Sequence, residues 1–493
     1  MRQETFQFGE FFETKKPQPP KGYQGLSGFH KYWGKKPIEA YEFLITHLTN
    51  KNDVVLEPFL GSGLVARKCL DLNRKFIGFD INPLSIELTK LYLLPPKQNE
   101  LRKALSEIHS SLKDEINSLY GLSNGKNASH YLWDQEKLSK VWIKEGNKRL
   151  EIEPTKQDLK NIIHSKPYES TQIRQPNFFD NSRINAKSSL KLSDLFSPRA
   201  LRLIDLLLEL SSQYDDNMNR AIRMILTASV GQMSKMVFAV SKRGKTKGVV
   251  TDKIEVGSWV IGYWRPAIYF EVNAWNCFEN KANKLIKALN DIDDLPSSQL
   301  AQSIPQLFHD DCNSFLQCGD SEKWLLKIPS QSIKLVLTDP PHGDRIPYLE
   351  LSELWNCLLG YQADYHNELV VSNAKERGKT IEKYNQKLAQ ILAESIRVLV
   401  DNGVLAVMFN ARKKAHWDSL HTLDESEEVL YVGCYPMEYS AGSVVQDNRI
   451  GGLKYDYVLI YIKNAHKKAR QEIVNHFCEI PGWLSEYPNK EPS

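Results

Sequence analysis

The sequence predicts an α/β protein built on a parallel sheet, and two stretches of the chain carry this prediction. Residues 52–96 follow the order strand, glycine turn, helix, strand, helix. Near residue 306 the alternation returns, with apolar strands around an amphipathic helix. Strands that alternate with helices form parallel sheets, because each crossover helix returns the chain to the same edge. We therefore predict one sheet domain that a long insertion interrupts.

Each element of the sheet domain has its own pattern. DVVLEP reads as a buried strand, GSGLVARKCLDLN as a turn and helix, KFIGFDIN as a second strand and PLSIELTKLYLL as a second helix. In the later stretch, SIKLVLTDPP is a strand that ends in a polar turn, and YNQKLAQILAESIRVLV is an amphipathic helix. GVLAVMFN, EEVLYVGCY and YDYVLIYIK indicate three further strands.

The residues between the two stretches are mostly helical in character, because their apolar positions recur at helical spacing. Residues 150–195 are polar and irregular, and 258–275 are rich in aromatic residues. The predicted parts are a polar lead-in (1–22), the sheet domain (23–99 and 306–465), a mainly helical insertion (100–305) and a C-terminal tail (466–493).

Composition indicates a globular protein of the reducing cytoplasm. Hydrophobic residues make up 41% and charged residues 25% of the 493 positions, which is ordinary. The sequence has no run of 18 apolar residues and no signal-peptide core at its start, so we expect neither a membrane span nor secretion. The seven cysteines form no CxxC pair, which argues against a zinc site and against a disulfide framework.

Charge is unevenly distributed, although the net charge is only +4. Residues 101–300 carry a net charge of about +7, so the rest of the chain is slightly acidic. The densest basic cluster consists of Lys242, Arg243, Lys245 and Lys247. A basic loop of this kind can neutralise phosphates, and the alternative is an ordinary solvated loop.

A glycine turn and an acid indicate a nucleoside pocket. Gly61 and Gly63 follow the first strand and open a helix, where a missing Cβ lets the backbone approach a ligand. Asp80 ends the second strand, at the position from which an acid accepts hydrogen bonds from ribose hydroxyls. The pattern GxG, in place of GxGxxG, disfavours a dinucleotide. The alternative is a structural corner with a solvent-facing Asp80.

The turn Asp339-Pro340-Pro341-His342 follows a predicted strand and suits chemistry on an amino group. The nitrogen of a base amino group is a poor nucleophile, because its lone pair is delocalised into the ring. The Asp339 carboxylate and the Pro340 carbonyl can accept its N–H groups, and the carboxylate stabilises the charge that grows there. The two prolines stiffen the turn, and no metal is required.

These motifs resemble those of the DNA amino-methyltransferases, over roughly residues 24–96 and 306–463. The family's first motif, (D/E)PFxGSG, is matched by Glu57, Pro58, Phe59, Gly61, Ser62 and Gly63. The resemblance implies a Rossmann-like class I methyltransferase sheet of seven strands with a terminal antiparallel hairpin. It also implies that S-adenosylmethionine (SAM) is the cofactor, with its methionine half on the first motif and its ribose held by Asp80 beside Asn82.

Two further segments resemble cofactor segments of the family. HKYWGKKP, with Trp33 and Lys36, resembles the segment that completes the pocket, although an aromatic residue beside lysines is also typical of a surface anchor. Asp320 stands about twenty residues before the DPP, where the family has an acid that caps the adenine amino group of SAM. The alternative for Asp320 is an exposed turn residue.

The fourth residue of the catalytic motif departs from the family signature, (D/N/S)PP(Y/F/W). The family residue stacks on the flipped target base, and this chain has His342. Three outcomes stay open: histidine serves as the platform, Tyr348 or Trp355 replaces it, or activity is reduced or lost. The acidic Asp339 favours adenine N6 over cytosine N4 as the target.

The order of the motifs resembles the alpha arrangement of the family, in which the middle segment reads DNA. This implies a double-stranded DNA substrate with a flipped base and a target-recognition region within 100–305. Candidate DNA contacts are Lys235, Lys242, Arg243, Lys245, Lys247, Gln446 and Asn448. The predicted function is site-specific DNA methylation, with a restriction or defence partner. The alternatives are cytosine N4 methylation, an RNA substrate, or a weakened SAM- or DNA-binding subunit. A segment of the same subgroup is matched at 258–280, without an assigned role.

Overall fold

The structure of the protein is a computed structural model. The described residues are 22–146, 148–163, 167–240, 245–246, 249–250, 254–259, 261–290, 297–410, 414–438 and 455–464. The strands are β1 (Val54–Glu57), β2 (Lys75–Asp80), β3 (Ala128–Asp134), β4 (Lys137–Glu145), β5 (Lys148–Ile152), β6 (Ala239–Val240), β7 (Lys245–Thr246), β8 (Val249–Val250), β9 (Glu255–Val256), β10 (Ile268–Val272), β11 (Ser314–Cys318), β12 (Ile333–Thr338), β13 (Leu399–Phe409), β14 (Val429–Glu438) and β15 (Tyr455–Lys463). The α-helices are α1 (Ile38–Leu48), α2 (Leu64–Asp71), α3 (Pro83–Leu93), α4 (Gln98–Ser118), α5 (Lys156–Ile163), α6 (Leu192–Leu195), α7 (Pro198–Ser211), α8 (Asp216–Met233), α9 (Ala274–Leu289), α10 (Ile304–His309), α11 (Ser321–Leu325), α12 (Tyr348–Leu358), α13 (Ile381–Val398) and α14 (Asp418–Asp424).

A seven-stranded sheet forms the centre of the sheet domain, in the order β11-β2-β1-β12-β13-β15-β14. The first four pairings are parallel, and β15 pairs antiparallel with both β13 and β14. The predicted α/β fold with its terminal antiparallel hairpin is therefore confirmed. The chain order reverses at β1 and β12, so the carboxyl ends of these two strands flank a crevice where such sheets bind ligands.

Both faces of the sheet are covered, which explains the continuous apolar runs of its strands. In β12, Leu335 and Leu337 point into one hydrophobic core and Val336 into the other. The first core continues without a break into the insertion, where it includes Ile225 and Phe270. The insertion therefore packs as part of the same body as the sheet.

The insertion contains the helices that the sequence predicts and also a sheet that the sequence analysis did not anticipate. Strands β10, β3, β4 and β5 form a four-stranded antiparallel sheet in that order. The residues of β3 are buried along nearly the whole strand, so it lacks the alternating pattern by which half-exposed strands are recognised. A buried ion pair joins this sheet to α7, since Arg199 contacts Glu271 at 2.9 Å.

Among the described residues, we find no helix with the length and apolar character that crossing a membrane requires.

Candidate functional site

A cavity opens at the carboxyl ends of β1, β2 and β12, and most of the predicted cofactor and catalytic residues line it. It encloses about 800 Å³ including its mouth. Five carboxylates line it: Glu57, Asp80, Asp320, Asp339 and Glu368. Two lysines, Lys35 and Lys387, also face it. The lining is therefore acidic, which favours a ligand that carries positive charge.

The glycine turn between β1 and α2 forms one wall of the cavity. Gly61 and Gly63 adopt φ angles of 53° and 75°, which other residues rarely adopt. A Cβ on Gly63 would lie 2.2 Å from Thr89 Oγ1, so α3 packs against the turn too closely for any side chain. The backbone N–H of Gly61 donates to Asp80 Oδ2 at 2.7 Å, which ties the turn to the end of β2.

Asp80 is buried in the cavity wall, so the alternative of a solvent-facing residue is wrong. Its Oδ1 accepts the backbone N–H of Asn82 at 2.8 Å, and burial raises the pKa of the carboxyl to about 6. Asn82 accepts from Leu84 N as the N-cap of α3, and its amide donates to Ser352 Oγ of α12. Asn82 therefore shapes the cavity while joining two helices.

Glu57 presents an unsatisfied oxygen next to the turn. Its side chain is buried, and Oε2 has no hydrogen-bond partner in the described structure. Burial, and to a lesser extent the nearby Asp339 and Asp80, raises the pKa of Glu57 well above its usual range. A buried polar atom without a partner is costly, so this oxygen is suited to a donor supplied by a ligand.

Asp320 also lines the cavity and is buried, so the alternative of an exposed turn aspartate is wrong. It is the N-cap of α11, where Oδ1 accepts from Glu322 N. Lys387 of α13 contacts its Oδ2 at 2.9 Å. Lys387 carries no sequence motif, and only the packing of α13 brings it to the cavity.

The segment KYWGKKP contributes differently from the sequence-based prediction. Trp33 lines the cavity as expected, together with Tyr32 and Lys35, which the sequence analysis did not select. Tyr32 shares a hydrogen bond with Ser85 Oγ at 2.9 Å. Lys36, assigned to the cofactor from the sequence, instead holds its ammonium 3.4 Å from Asp339 Oδ1. Tyr32 and Lys35 flank the selected residues, so the same motif could have identified them.

The Asp339–His342 turn is held from several sides. His342 Nε2 lies 3.1 Å from Asp339 Oδ1, so Lys36 and His342 share this one oxygen. The imidazole meets Phe409 edge-on, with ring centroids 5.3 Å apart. Tyr384 donates to the Pro341 carbonyl at 2.5 Å. The turn is therefore stiff, and the aspartate faces the cavity.

The two other candidates for a stacking platform have different positions. Tyr348 lines the cavity, and its ring is stacked on Tyr32 with centroids 6.0 Å apart. Trp355 is buried on α12 among other aromatic rings, with Trp33 at 4.8 Å and Trp259 at 5.5 Å between centroids. Of these two residues, only Tyr348 borders the cavity.

The residues selected as DNA contacts are described only in part. Lys235 is half-buried, and its ammonium donates to the Ser193 carbonyl at 2.8 Å. Burial lowers the pKa of Lys235, so this lysine is poorly placed as an open phosphate contact. Lys245 belongs to β7, whose side chains are not described. The others lie outside the described residues: Lys242, Arg243, Lys247, Gln446 and Asn448.

The N-terminal part of the chain is similar to DNA methylases. A family model described as DNA methylase matches residues 2–91. The type II methyltransferase M.HpaI of Haemophilus parainfluenzae is 46% identical over 56 residues, which is 11% of this chain and 18% of the relative. M.MjaII of Methanocaldococcus jannaschii is 27% identical over 89 residues, 18% of this chain and 17% of the relative.

M.XycI of Xanthomonas campestris pv. cyanopsidis, also a type II methyltransferase, is 29% identical over 106 residues. That match covers 19% of this chain and 35% of the relative. The three matches thus span between 17% and 35% of the relatives' own lengths.

Proposed function

Because the chain belongs to the DNA amino-methyltransferase family, we propose that it transfers a methyl group from SAM to an exocyclic amino group of a base at specific sites in DNA. Adenine N6 is the favoured target, since an acidic residue opens the catalytic motif. One observation carries the proposal: the Asp339 carboxylate and the glycine turn after β1 border the same cavity.

The cavity suits SAM by charge and by shape. SAM carries a sulfonium and an ammonium group, and the five carboxylates of the lining favour both. The same acidity disfavours a dinucleotide, whose phosphates these carboxylates would repel. Gly61 borders the cavity and leaves the space that a Cβ would fill, and Glu57 Oε2 offers an unsatisfied acceptor near it. When bound, SAM supplies an electrophilic methyl group.

Asp339 is proposed to activate the amino group of the base. Lys36 and His342 both contact Oδ1, so the side chain is held in one orientation and Oδ2 can accept an N–H of the substrate. As the nitrogen forms its bond to the methyl carbon, positive charge grows on the amino group and the carboxylate stabilises it.

The target base has to leave the duplex to reach a carboxylate that lines this cavity. His342 is engaged with Asp339 and Phe409, whereas the ring of Tyr348 borders the cavity directly. We therefore propose Tyr348 as the aromatic wall against which the flipped base packs, with His342 orienting the carboxylate. In this arrangement, methyl transfer does not require a tyrosine at position 342.

The first test replaces the catalytic carboxylate. With tritium-labelled SAM and genomic DNA, we expect Asp339→Ala to lower methyl transfer by about 100-fold or more, because the transition state loses its acceptor. Calorimetry should show that SAM binding is retained. Parallel reactions with RNA identify the nucleic acid that accepts label, and single-molecule sequencing of methylated DNA gives the base and the site. Transfer by Asp339→Ala at the parental rate would contradict the assignment.

The variant His342→Tyr distinguishes between two hypotheses, an active enzyme and a subunit with weakened catalysis. If His342 orients Asp339, the tyrosine variant loses that hydrogen bond, and methyl transfer should fall. A parent that binds SAM without turnover, together with a tyrosine variant that turns over, would instead identify a subunit with lost catalysis.

A further inference from the structure

The insertion presents an apolar tip in the tryptophan loop, residues 261–268. Of the seven large apolar side chains that are exposed in the described structure, three belong to this loop. Their exposed fractions are 45% for Ile261, 50% for Trp264 and 46% for Ile268. Tyr263, between them, is buried. Exposed apolar groups clustered in this way mark interaction surfaces.

The tryptophan loop is held rigidly, so its exposure does not result from a loose chain. Gly262 has a φ of 74°, and a Cβ there would lie 2.4 Å from the Ile184 carbonyl oxygen. Trp259 Nε1 donates to the Gly262 carbonyl at 2.6 Å, and Tyr263 N donates to the Ile184 carbonyl at 2.7 Å. Trp264 contacts Phe238 on one side, with ring centroids 5.8 Å apart.

Short contacts join the tryptophan loop to the catalytic turn. The hydroxyl of Tyr263 donates to the Glu350 carbonyl at 2.8 Å, near the start of α12. Ile184, which accepts from Tyr263, is preceded by Arg183, and the guanidinium of Arg183 donates to the Arg345 carbonyl. Arg345 lies three residues after His342. The exposed Trp264 is therefore next in sequence to a side chain that is hydrogen-bonded to α12.

The sequence around the tip is basic, which favours a polyanionic partner. Arg265 follows Trp264 directly, is half-exposed and lies 3.3 Å from Asp194. Residues 225–268 contain seven lysine or arginine residues and two acidic residues. Aromatic and apolar groups among basic residues are typical of surfaces that bind nucleic acid, where apolar wedges enter base steps. Duplex DNA matches both features, whereas an apolar protein partner would match only the tip.

We propose that Trp264 packs into the base stack next to the target nucleotide and occupies the space that this nucleotide vacates when it turns outward. The inference rests on the proposed function, since it assigns to the insertion the residue that stabilises the open duplex. Ile261 widens the apolar contact, and Arg265 contacts the adjacent backbone.

The experiment compares the parent with Trp264→Ala, Trp264→Phe and the control Leu430→Ala, which truncates an exposed apolar side chain on the edge strand β14. Methyl transfer is measured on a duplex that contains the recognised site. Base flipping is measured on the same duplex with 2-aminopurine, which has no 6-amino group to methylate, at the target position. Loss of one stacking contact should lower kcat/KM for DNA by about 5- to 100-fold in Trp264→Ala and abolish the 2-aminopurine signal. Trp264→Phe should recover part of both, and Leu430→Ala should match the parent.

Two further readouts distinguish this role from a structural one. SAM affinity should be unchanged in Trp264→Ala, and the salt dependence of DNA binding should keep its slope, because no charge is removed. Parental kcat/KM for DNA in Trp264→Ala would overturn the inference. A change in oligomeric mass without a change on DNA would also overturn it, by assigning the tip to a protein contact. If the parent methylates no DNA at all, the proposed function itself fails.

Discussion

At the scale of single residues, burial raises the pKa of Glu57, Asp80 and Glu368 in the cavity. Asp80 combines a pKa raised to about 6 with two backbone N–H groups that its oxygens accept. In the unfolded chain the pKa of Asp80 has its ordinary value of 3.8. Between pH 3.8 and pH 6, Asp80 is therefore protonated in the folded protein, whereas the unfolded chain has already released this proton. Protonation of Asp80 consequently stabilises the folded protein without cofactor, and this stabilisation is lost as pH rises through 6.

The same titration predicts a pH dependence of cofactor binding. A protonated Asp80 is a weak acceptor for ribose hydroxyls, so SAM affinity should fall about tenfold between pH 7.5 and pH 5. Calorimetry at the two pH values measures this change. Asp80→Asn should bind SAM weakly at both. Any pH dependence that remains in the variant belongs to other groups of the lining, such as Lys35, whose pKa burial lowers to about 7. Equal parental affinity at the two pH values would contradict the assigned role.

Replacing Gly63 of the glycine turn, with Gly125 as a matched control, separates the cost of backbone strain from the cost of a steric clash. Gly63 and Gly125 both have positive φ, but a Cβ at 125 meets no atom within 4 Å, whereas a Cβ at 63 meets Thr89. Gly125→Ala should lower the free energy of unfolding by about 1–2 kcal/mol through backbone strain alone. Gly63→Ala should cost more and also weaken SAM binding. Urea unfolding measures both, and equal effects would show that the contact with Thr89 is unimportant.

At the scale of elements, α12 links the catalytic turn to the rest of the molecule through buried polar groups. Ser352 and Asn356, one turn apart, hydrogen-bond to Asn82 at the cofactor wall. Glu353 accepts the backbone N–H of Asn177, within the insertion. Glu350 pairs with Arg377, whose guanidinium also contacts Glu368 at the cavity. A shift of α12 would therefore disturb the cofactor wall and the insertion together.

Arg377 is the positively charged partner of two of these acids, Glu350 and Glu368. Arg377→Met leaves Glu350 and Glu368 buried without their partner, so the free energy of unfolding should fall by about 3–5 kcal/mol. Lys375→Met, two residues away and exposed, is the control and should cost little. Urea denaturation measures both. A loss in Arg377→Met no larger than in the control would contradict this role of Arg377.

At the scale of the whole molecule, the insertion and the sheet domain share one hydrophobic core, so they should unfold together. Arg199→Met breaks a buried pair with Glu271 deep in the insertion and should lower stability by about 3–5 kcal/mol. Urea transitions followed by far-UV circular dichroism and by tryptophan fluorescence should coincide in the parent and shift together in the variant. Two separate transitions would show that the insertion folds as an independent unit.

The sequence by itself determined six of the seven strands of the sheet, the helices α2, α3 and α13, the glycine turn and the acids at Asp80, Asp320 and Asp339. It did not identify the edge strand β11. These features are local: strand runs, helical spacing and glycine turns each depend on a few neighbouring residues. The same locality explains what was missed. The four-stranded sheet of the insertion is buried on both faces along β3, so its pattern carries no alternation.

Only the tertiary structure decided which side chains meet. Lys36 reaches Asp339 across about 300 residues of chain, and Lys387 reaches Asp320 from a helix without any motif. Sheet order and helix packing bring these pairs together, and periodicity indicates only which faces are apolar. For the same reason, the sequence did not distinguish Tyr348 from Trp355 as the aromatic residue on which the flipped base stacks. Packing placed one at the cavity and buried the other.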